Sequence, residues 1–423
     1  MSIWSVRLRN PIRTQMEYRL ACLDDMLPDD HRARLVWQYV EKLDITALLR
    51  KAGSFVGGKG APTTDPRILL TLWLFAILDG VGSAREIDRL CERDLAYQWI
   101  CGGVTVNYHT LSTFRNGAGP FLDDLLTKSV AALVAAGIVD ISCIAVDSLR
   151  VRANAGQSSF RRKETLLELQ RLAREKIEHL KAEAASDGQS ASRRQQARRE
   201  RAAAEREQRV CAALEATEEI EAARLAEDKA TRCKTPKKRN PARASTTDPQ
   251  ARRMAMANGA MAPAYNLQVK TDPNATMVVG VDVINNASDR GKLRPAVAEI
   301  KRRYGRRPDK LLADVGYDGH ADIEAVEAEG VAVYVPPPKK TPSEKAKKKQ
   351  GPGVRQWQER MATEEAKPIY ADRMKTELTH AQMRNHGLLQ MPVRGLKKAK
   401  TVALWFAIAS NFLIHAQALI KFA

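Results

Sequence analysis

The sequence predicts an α+β or α/β fold, in which a mixed five-stranded sheet with flanking helices is preceded by an all-α domain and interrupted by a helical insertion. Three observations support this prediction. Apolar residues follow a helical period from about residue 30 to residue 136, and β-branched or alternating runs begin at Gly137 and resume after residue 253. A seam of apolar residues spaced three and four apart lies between these runs. With 423 residues, 44% of them hydrophobic, the chain is long enough for two or three domains.

The balance of charge indicates a polyanionic partner. The chain carries 69 lysines and arginines against 50 acidic residues, which gives a formal net charge of +19. A field of this sign attracts nucleic acid, and an anionic membrane is the main alternative.

Neither long apolar run favours a membrane span. Ile68 to Leu78 is too short to cross a bilayer, and polar residues interrupt the run from Thr401 to Ile420, as in a core helix with one polar edge. The N-terminal residues lack the apolar stretch of a signal peptide, and the six cysteines show no C-x-x-C spacing. We therefore expect a cytoplasmic protein without disulfides, structural zinc or membrane contact.

The helical segments before residue 137 are separated by short glycine or asparagine breaks. From Ser83 to Arg115 they resemble a helix-turn-helix, whose second helix opens at Asn107 or Tyr108. Four side chains of that helix are predicted to point outward toward DNA: His109, Thr110, Thr113 and Arg115. A small helical bundle shows the same breaks, so plain packing is the open alternative.

The first strand is followed by a helical insertion. The run GIVDISCIAVDS predicts a buried strand that ends at Asp147. The seam that follows is typical of a coiled coil and comprises Leu166, Leu169, Ala173, Ile177, Leu180 and Ala184. A break from Ser186 to Ser192 and a second charged helix to about Lys229 predict an antiparallel hairpin. The segment from Cys233 to Arg253 is rich in proline, lysine and arginine, which predicts an extended linker.

The remaining strands follow in an order that brings two acids together. The runs PAYNLQVKTD and TMVVGVDVIN predict a hairpin, and after a helix the run KLLADVGYDG predicts a buried strand that ends at Asp314. A further helix and the strand VAVYVPPP complete a βαβ unit. In this order the first and fourth strands lie side by side and parallel, so Asp147 and Asp314 share one edge of the sheet.

A third carboxylate, Glu377, lies on a later helix and is the last acidic residue of the chain. Converging carboxylates repel one another unless a cation neutralises them, and an all-oxygen ligand set favours Mg²⁺ or Mn²⁺. Two such ions about 4 Å apart activate an attacking oxygen and stabilise a leaving oxygen at phosphorus. Beside a basic surface, these features predict a nucleic-acid phosphodiester as the substrate.

Each acid also has an ordinary structural interpretation. An aspartate at the end of a strand is commonly a turn or cap residue, and a lone helical glutamate is commonly solvated. Asp318 is an alternative to Asp314 as the second acid of the site, and Asp282 also interrupts a strand. Only the joint placement of the three acids favours a metal site.

Several motifs resemble bacterial insertion-sequence DDE transposases that carry a tyrosine, arginine, glutamate and lysine signature. In IYADRMKTELTHAQMR, Tyr370, Arg373 and Glu377 fall at the signature positions. Arg384 stands where lysine is usual, which keeps the charge but changes its geometry. The blocks AVDSLRVRANA, TDPQARRM, LLADVGY and VRGLKKAKTVALWFAIASNF resemble other motifs of the family in the right order, so the resemblance covers roughly residues 20 to 420.

The resemblance implies a ribonuclease-H-like core in which Asp147, Asp314 and Glu377 are the metal-binding and catalytic triad, with two Mg²⁺ or Mn²⁺ ions. It also implies that water nicks double-stranded DNA at the terminal inverted repeats of the element and that the freed 3′-hydroxyl attacks target DNA. Synapsis of two element ends requires a homodimer or a larger assembly, and such a protein would be nucleoid-associated.

The domain organisation follows from the same resemblance. Residues 1–136 are predicted to bind DNA, residues 137–152 and 254–423 to form the split catalytic domain, and residues 153–253 to form the hairpin insertion and basic linker. We expect the seam of the insertion to pair protomers.

The signature helix provides further predicted DNA contacts. Arg373 and Arg384 share roughly one helix face with Glu377, where they would hold phosphates. Tyr370 would stack on a flipped base, with internal packing as the alternative.

Two other basic groups are predicted to contact the DNA backbone. Arg150 and Arg152 follow Asp147, with a solvated face as the alternative. The lysines between residues 339 and 349 would tether phosphates or form a soluble loop.

Two other functions stay open from the sequence. One is a nonenzymatic DNA-binding repressor derived from a decayed element, against which the intact triad argues. The other is a ribonuclease-H-like nuclease that cuts DNA without joining it. The sequence contains no H-E-x-x-H motif, nucleophile elbow or complete phosphate-binding loop, which disfavours a metallopeptidase, an α/β-hydrolase and an ATPase.

Overall fold

The computed structural model describes residues 22–50, 63–186, 190–230, 240–338 and 350–423. Seven helices precede the sheet in this part of the chain: α1 (Arg32–Lys42), α2 (Thr46–Leu49), α3 (Pro66–Leu78), α4 (Ala84–Arg93), α5 (Leu95–Cys101), α6 (Tyr108–Gly117) and α7 (Gly119–Ala135). The predicted helical region is therefore confirmed.

Capping side chains define the breaks between these helices. The Asp65 carboxylate accepts a 2.8 Å hydrogen bond from the N–H of Arg67 at the start of α3, and Asp94 and Asn107 cap α5 and α6 in the same way. Pro66 fits at the first helical position, where its missing N–H costs no hydrogen bond. Helix α3 is buried along nearly its whole length, which explains its continuous apolar sequence.

Eight strands lie in the described residues: β1 (Cys143–Arg152), β2 (Phe160–Arg161), β3 (Ala244–Ser245), β4 (Arg252–Ala255), β5 (Met261–Asp272), β6 (Met277–Ile284), β7 (Lys310–Ala313) and β8 (Ala332–Tyr334). The main sheet has six strands in the order β4-β5-β1-β7-β8, with β6 also paired to β5. β1 runs antiparallel to β5 and parallel to β7, and β7 runs parallel to β8. Because β1 occupies one edge of β5, strands β4 and β6 share the other edge.

This topology confirms the predicted hairpin, which is β5 and β6, and the parallel pairing of the first and fourth predicted strands, which are β1 and β7. The predicted number of strands was wrong, because the main sheet has six. The additional strand, β4, begins in the last two residues of the segment predicted as an extended linker and continues to Ala255. Its four residues are held by backbone pairing to the start of β5, so their side chains carry little strand pattern.

The predicted end of the first strand was also wrong. β1 passes through Asp147 and continues to Arg152, because its backbone pairs with β5 from Ala145 onward. β7 covers the other edge of β1 only as far as Val146. That edge then stays open until Arg152, whose backbone bonds to the segment around Gln390. The gap gives access to the middle of β1.

The remaining helices surround the sheet or extend from it: α8 (Lys163–Ser186), α9 (Ser190–Ala230), α10 (Leu293–Tyr304), α11 (His320–Ala328), α12 (Pro352–Met361), α13 (Ala366–Ala371), α14 (Lys375–Asn385) and α15 (Leu396–Phe422). Helix α10 leads from β6 to β7 and α11 leads from β7 to β8, as the predicted βαβ unit requires.

The insertion is the predicted antiparallel helical hairpin of α8 and α9. Leu166, Ala173 and Leu180 of the seam are buried, and Leu166 packs in one cluster with Val210 and Ala213 of α9. Part of the seam is therefore covered within one chain, and pairing of protomers through the insertion stays a prediction.

Helix α15 is the one helix among the described residues that is long and apolar enough to cross a bilayer. Most of it is buried against α3, α7 and β6, which supports the predicted core helix. Its polar residues have internal partners. Asn411 bonds to both backbone groups of Val278, and the ring of His415 lies 2.7 Å from the carbonyl oxygen of Ala275.

Candidate active site

Asp147 and Asp314 lie side by side where two parallel strands separate. Val146 of β1 pairs with Ala313 of β7, so the two aspartates are the next residues in register. Each carboxylate accepts a 2.7 Å hydrogen bond from the N–H of the following residue. Asp147 is mostly buried and Asp314 is exposed, so one carboxylate forms the base of the site and the other forms its rim.

Glu377 joins them from the first turn of α14, through an arginine. Arg373 donates from Nη1 to Oδ2 of Asp147 at 3.3 Å and from Nη2 to Oε1 of Glu377 at 3.4 Å. The structure thus brings the three predicted acids and the signature arginine together.

The electrostatics of the site are those of an incompletely neutralised acidic cluster. Burial raises the pKa of Asp147 to about 6, and the charges of Asp314 and Glu377 act in the same direction. The Ser148 N–H and Arg373 oppose this shift without cancelling it. A buried carboxylate that is difficult to ionise alone is stabilised by a bound cation.

The donor set fits a hard divalent ion, since three carboxylates on rigid elements offer only oxygen ligands. Within the described part of the chain, no three acidic, histidine or cysteine side chains form a ready metal-ligand cluster. The Arg373 guanidinium bridges Asp147 and Glu377, and a cation bound between these carboxylates would compete with it. Arg373 therefore provides one positive charge where a divalent ion would bring two.

The competing acids are paired elsewhere. Asp318 forms a 2.8 Å ion pair with Arg290, and Asp282 forms a 3.0 Å ion pair with Lys400. Asp314 has no such partner among the described residues, which distinguishes it from its close neighbour in sequence.

Two aromatic side chains support the arginine and the buried acid. The Tyr370 ring lies 5.8 Å from the Arg373 guanidinium and packs in a small apolar cluster with Ala145 and Leu312. His380, which our sequence analysis missed, places Nδ1 3.8 Å from Oδ2 of Asp147. Burial, Arg384 and Arg373 lower the pKa of His380 to about 4, so its ring is neutral at ordinary pH. Its position three residues after Glu377, on the same helix face, was the available signal.

A polar network fixes the turn that carries Asp314. Tyr317 is buried and donates a 2.8 Å hydrogen bond to the side chain of Gln268 on β5. Gln268 in turn donates to Asp289, which also accepts from Ser148 of β1 at 3.0 Å. These contacts join β1, β5 and the turn after β7, so they restrain the relative positions of both aspartates.

Beside the acids lies a basic cleft of about 560 Å³, which we call the arginine cleft and which contains Arg150, Arg152 and Arg384. Arg150 is held by the carbonyl oxygens of Ala255 and Ala287 at 2.6 and 3.1 Å. None of the three arginines forms an ion pair with a described residue, so their charges are available to an anion.

The predicted DNA-reading helix differs from expectation at one residue. His109 of α6 is exposed, as predicted, and its ring lies 4.0 Å from that of Tyr108. Arg115 does not point outward, because it shares the buried face of α6 with Leu111, one turn earlier. The lysine segment at residues 339–349 lies outside the described residues.

Comparison with protein-family models gives two matches. Residues 230–412 match the transposase DDE domain, and residues 21–117 match a transposase domain designated DUF772. The first match contains Asp314 and Glu377 but begins after β1. No curated protein and no solved structure matches the chain. The chain thus carries two segments similar to transposase domains, and together they support an insertion-sequence transposase.

Proposed function

We propose that this protein is a DDE transposase of the tyrosine, arginine, glutamate and lysine type. It would cleave DNA at the ends of an insertion sequence and join the freed 3′-hydroxyl to target DNA, with Mg²⁺ or Mn²⁺ as cofactor. The observation that carries the proposal is the convergence of Asp147, Asp314 and Glu377 on one site.

The strand order supports a ribonuclease-H-like core for this activity. β1 lies between an antiparallel neighbour, β5, and a parallel neighbour, β7, and Asp147 lies at the gap in its open edge. A helix that returns after the last strand delivers the third acid. We propose that β1 and the segment after residue 253 form the catalytic domain, with α8 and α9 inserted between them.

Each residue of the site has a role that its contacts support. Asp147, Asp314 and Glu377 would hold two divalent ions, which when bound activate the attacking oxygen and stabilise the leaving oxygen. Arg373 would leave the carboxylates and bind a phosphate oxygen, since a guanidinium matches both anions. Tyr370 would limit the directions in which Arg373 moves.

The buried side of the site orients Asp147. His380 stays neutral and lies against this carboxylate, so it adds no charge that would compete with the ions. We infer that His380 is a positioning residue.

The DNA partners follow from the arginine cleft and the net charge of +19. Arg150, Arg152 and Arg384 would contact the backbone of the strand that enters the site. Target DNA and a second protomer complete the proposed synaptic complex, which would operate on the nucleoid in the cytoplasm.

The direct test is cleavage and joining of duplexes taken from both flanks of the protein's own gene, with Mg²⁺, with Mn²⁺ and with EDTA. We expect Asp314→Asn and Glu377→Gln to lose both reactions by at least about a thousandfold while end binding changes by less than about threefold. Asp318→Asn is the matched control and should stay active, because Asp318 pairs with Arg290.

The other outcomes separate the competing functions. End binding by the wild type without cleavage in either metal would support a repressor. Cleavage without joining would support a nuclease.

A further inference from the structure

A second cleft, of about 490 Å³, lies between α4, α6, α15 and the segment at residues 387–392. We call it the Arg115 cleft. Its polar lining includes Ser83, Arg85, Tyr108, His109 and Arg115, and no acidic side chain of a described residue lines it. The transposase activity proposed above assigns this cleft no role.

Arg115 is an unusual buried charge in this protein. It is 7% exposed and forms no ion pair with any described residue. The other deeply buried basic residues have acidic partners, because Lys270 contacts Glu299 at 2.7 Å and Arg303 contacts both Glu299 and Asp123. An unpaired buried cation is costly, so Arg115 requires compensation.

The compensation within the chain is partial. Nη1 of Arg115 donates a 3.3 Å hydrogen bond to the carbonyl oxygen of Gly82, and the guanidinium lies 4.9 Å from the centre of the Trp73 ring. Among the described residues, Nε has no hydrogen-bond partner. Nη2 makes no hydrogen bond with them either, and Arg115 lines the cleft.

The N-terminus of α4 adds positive potential at the same place. Ser83 is the N-cap of this ten-residue helix, and Ser83, Ala84 and Arg85 line the cleft. The first N–H groups of a helix have no intrahelical partner and carry the positive end of its dipole. Arg115 is bonded to Gly82, the residue before this cap, so its charge adds to that of the helix N-terminus, while Glu86 in the same turn pairs with Arg89.

The rim of the cleft adds charge and an aromatic surface. The Arg85 guanidinium lies 5.1 Å from the centre of the Tyr108 ring, and the His109 ring lies 4.0 Å from that of Tyr108 at a tilt of 32°. Two arginines, a helix N-terminus and an aromatic pair are groups of the kind that bind a phosphate oxygen with a sugar or base beside it.

The segment at residues 387–392 connects this cleft to the catalytic site. Gln390 lines both the Arg115 cleft and the arginine cleft. Its neighbours bond to the backbone of Arg152, five residues after Asp147 on β1, which corresponds to about 17 Å of extended strand. A polynucleotide held at Arg115 could therefore continue past Gln390 to the acids.

We propose that the Arg115 cleft binds a backbone phosphate of the element-end DNA through Arg115, Arg85 and the N-terminus of α4. This inference rests on the proposed transposase function. It assigns α6 and α4 a backbone contact and gives the DNA a defined path to the catalytic acids.

The test measures binding of end duplexes by fluorescence anisotropy over a salt series, for the wild type, Arg115→Gln and Arg85→Gln. Each variant should bind about five- to twentyfold more weakly, with the slope of log K against log salt reduced by about one. Arg89→Gln is the matched control, because Arg89 is exposed on α4 and pairs with Glu86. Circular dichroism and melting confirm folding, and Arg85→Gln keeps the test valid if Arg115→Gln unfolds.

A second measurement, with inorganic phosphate, distinguishes a DNA phosphate from a free phosphate as the ligand of the Arg115 cleft. It should raise the melting temperature of the wild type more than chloride of equal ionic strength does, and this difference should vanish in Arg115→Gln. Stabilisation by phosphate with unchanged DNA affinity in both variants would overturn the DNA assignment in favour of a free phosphate.

The experiment distinguishes failure of the cleft proposal from failure of the proposed transposase function. If the wild type cleaves its ends and the two cleft variants bind as tightly as it does, only the cleft proposal is overturned. If the wild type neither binds nor cleaves the ends, both proposals are overturned.

Discussion

Arg373 donates a 3.3 Å hydrogen bond to Asp147, a residue 226 positions away in the chain, and so joins the signature helix to the central strand. The same guanidinium reaches Glu377 at 3.4 Å. Both contacts use oxygens that a divalent ion would require. An internal cation therefore offsets part of the negative charge of the site, and binding of a metal ion is expected to be coupled to release of Arg373.

Removal of this internal cation should strengthen metal binding in the absence of DNA. We expect Arg373→Gln to bind Mn²⁺ several-fold more tightly than the wild type in calorimetric titrations, because the carboxylates lose their counter-ion. The rate of DNA cleavage should nevertheless fall, because the DNA phosphate loses the guanidinium proposed to bind it.

Lys375→Gln serves as the control, since Lys375 follows Arg373 by two residues, at the start of α14, but pairs with Asp372 at 2.8 Å. Weaker Mn²⁺ binding by Arg373→Gln would mean that the arginine organises the carboxylates instead of competing for them.

Arg384, which stands where lysine is usual, should strengthen DNA binding through its charge. Arg384 is exposed, lines the arginine cleft and forms no ion pair with a described residue. We expect Arg384→Gln to weaken end binding about three- to tenfold and to reduce its salt slope by about one, while Arg384→Lys stays within about threefold of the wild type.

The control for this series is Arg290→Gln, because the Arg290 guanidinium is already paired with Asp318. An Arg384→Lys variant as weak as Arg384→Gln would show that the planar fork of the guanidinium is needed, not only its charge.

The main helices and strands could be predicted from the sequence, because their hydrophobic patterns are long and local. The hairpin of β5 and β6, the helical hairpin and the adjacency of Asp147 and Asp314 all follow from periodicity and strand order. The extension of β1 was missed although Leu149 and Val151 alternate with polar residues, as expected of a strand.

Other features depended on tertiary packing. The seam of α8 was recognised, but a seam does not specify its partner, and α9 packs against part of it within the chain. Arg115 was assigned to solvent from its residue type, whereas its spacing of four from Leu111 places it on the buried face. The bridging position of Arg373 could not be derived from sequence, because it depends on how α14 approaches β1.

A buried ionic network behind the site should dominate the acid stability of the fold. Burial alone raises the pKa of Glu299, but the charges of Lys270 and Arg303 outweigh this effect and lower it from 4.5 to about 2. Since the folded pKa lies below the ordinary value, the network stabilises the protein above about pH 4.5, and this stabilisation is lost as the pH falls toward 2. The shift corresponds to about 3 kcal/mol.

We expect Glu299→Gln to lower the free energy of unfolding at pH 7 by about 3 to 5 kcal/mol, because Lys270 is left buried without an anion. Urea denaturation at pH 7 and pH 3 measures this, and the difference between variant and wild type should shrink at pH 3. Asp124→Asn, which breaks the exposed pair with Lys128, should cost less than about 1 kcal/mol at both pH values. A loss independent of pH would assign the effect of Glu299 to packing.

Asn411 should be a stabilising residue of the core helix. Strand β6 pairs with β5 on one edge only among the described strands, and on its other edge Asn411 bonds to both the N–H and the carbonyl oxygen of Val278 at 2.8 Å. Asn411→Ala would leave both backbone groups buried and unsatisfied, so we expect a loss of about 2 to 3 kcal/mol in urea denaturation. Ser410→Ala is the neighbouring control, because Ser410 makes one 3.2 Å hydrogen bond to a side chain, and it should cost about 1 kcal/mol or less. Equal losses in the two variants would indicate that water replaces the amide of Asn411 at the edge of β6.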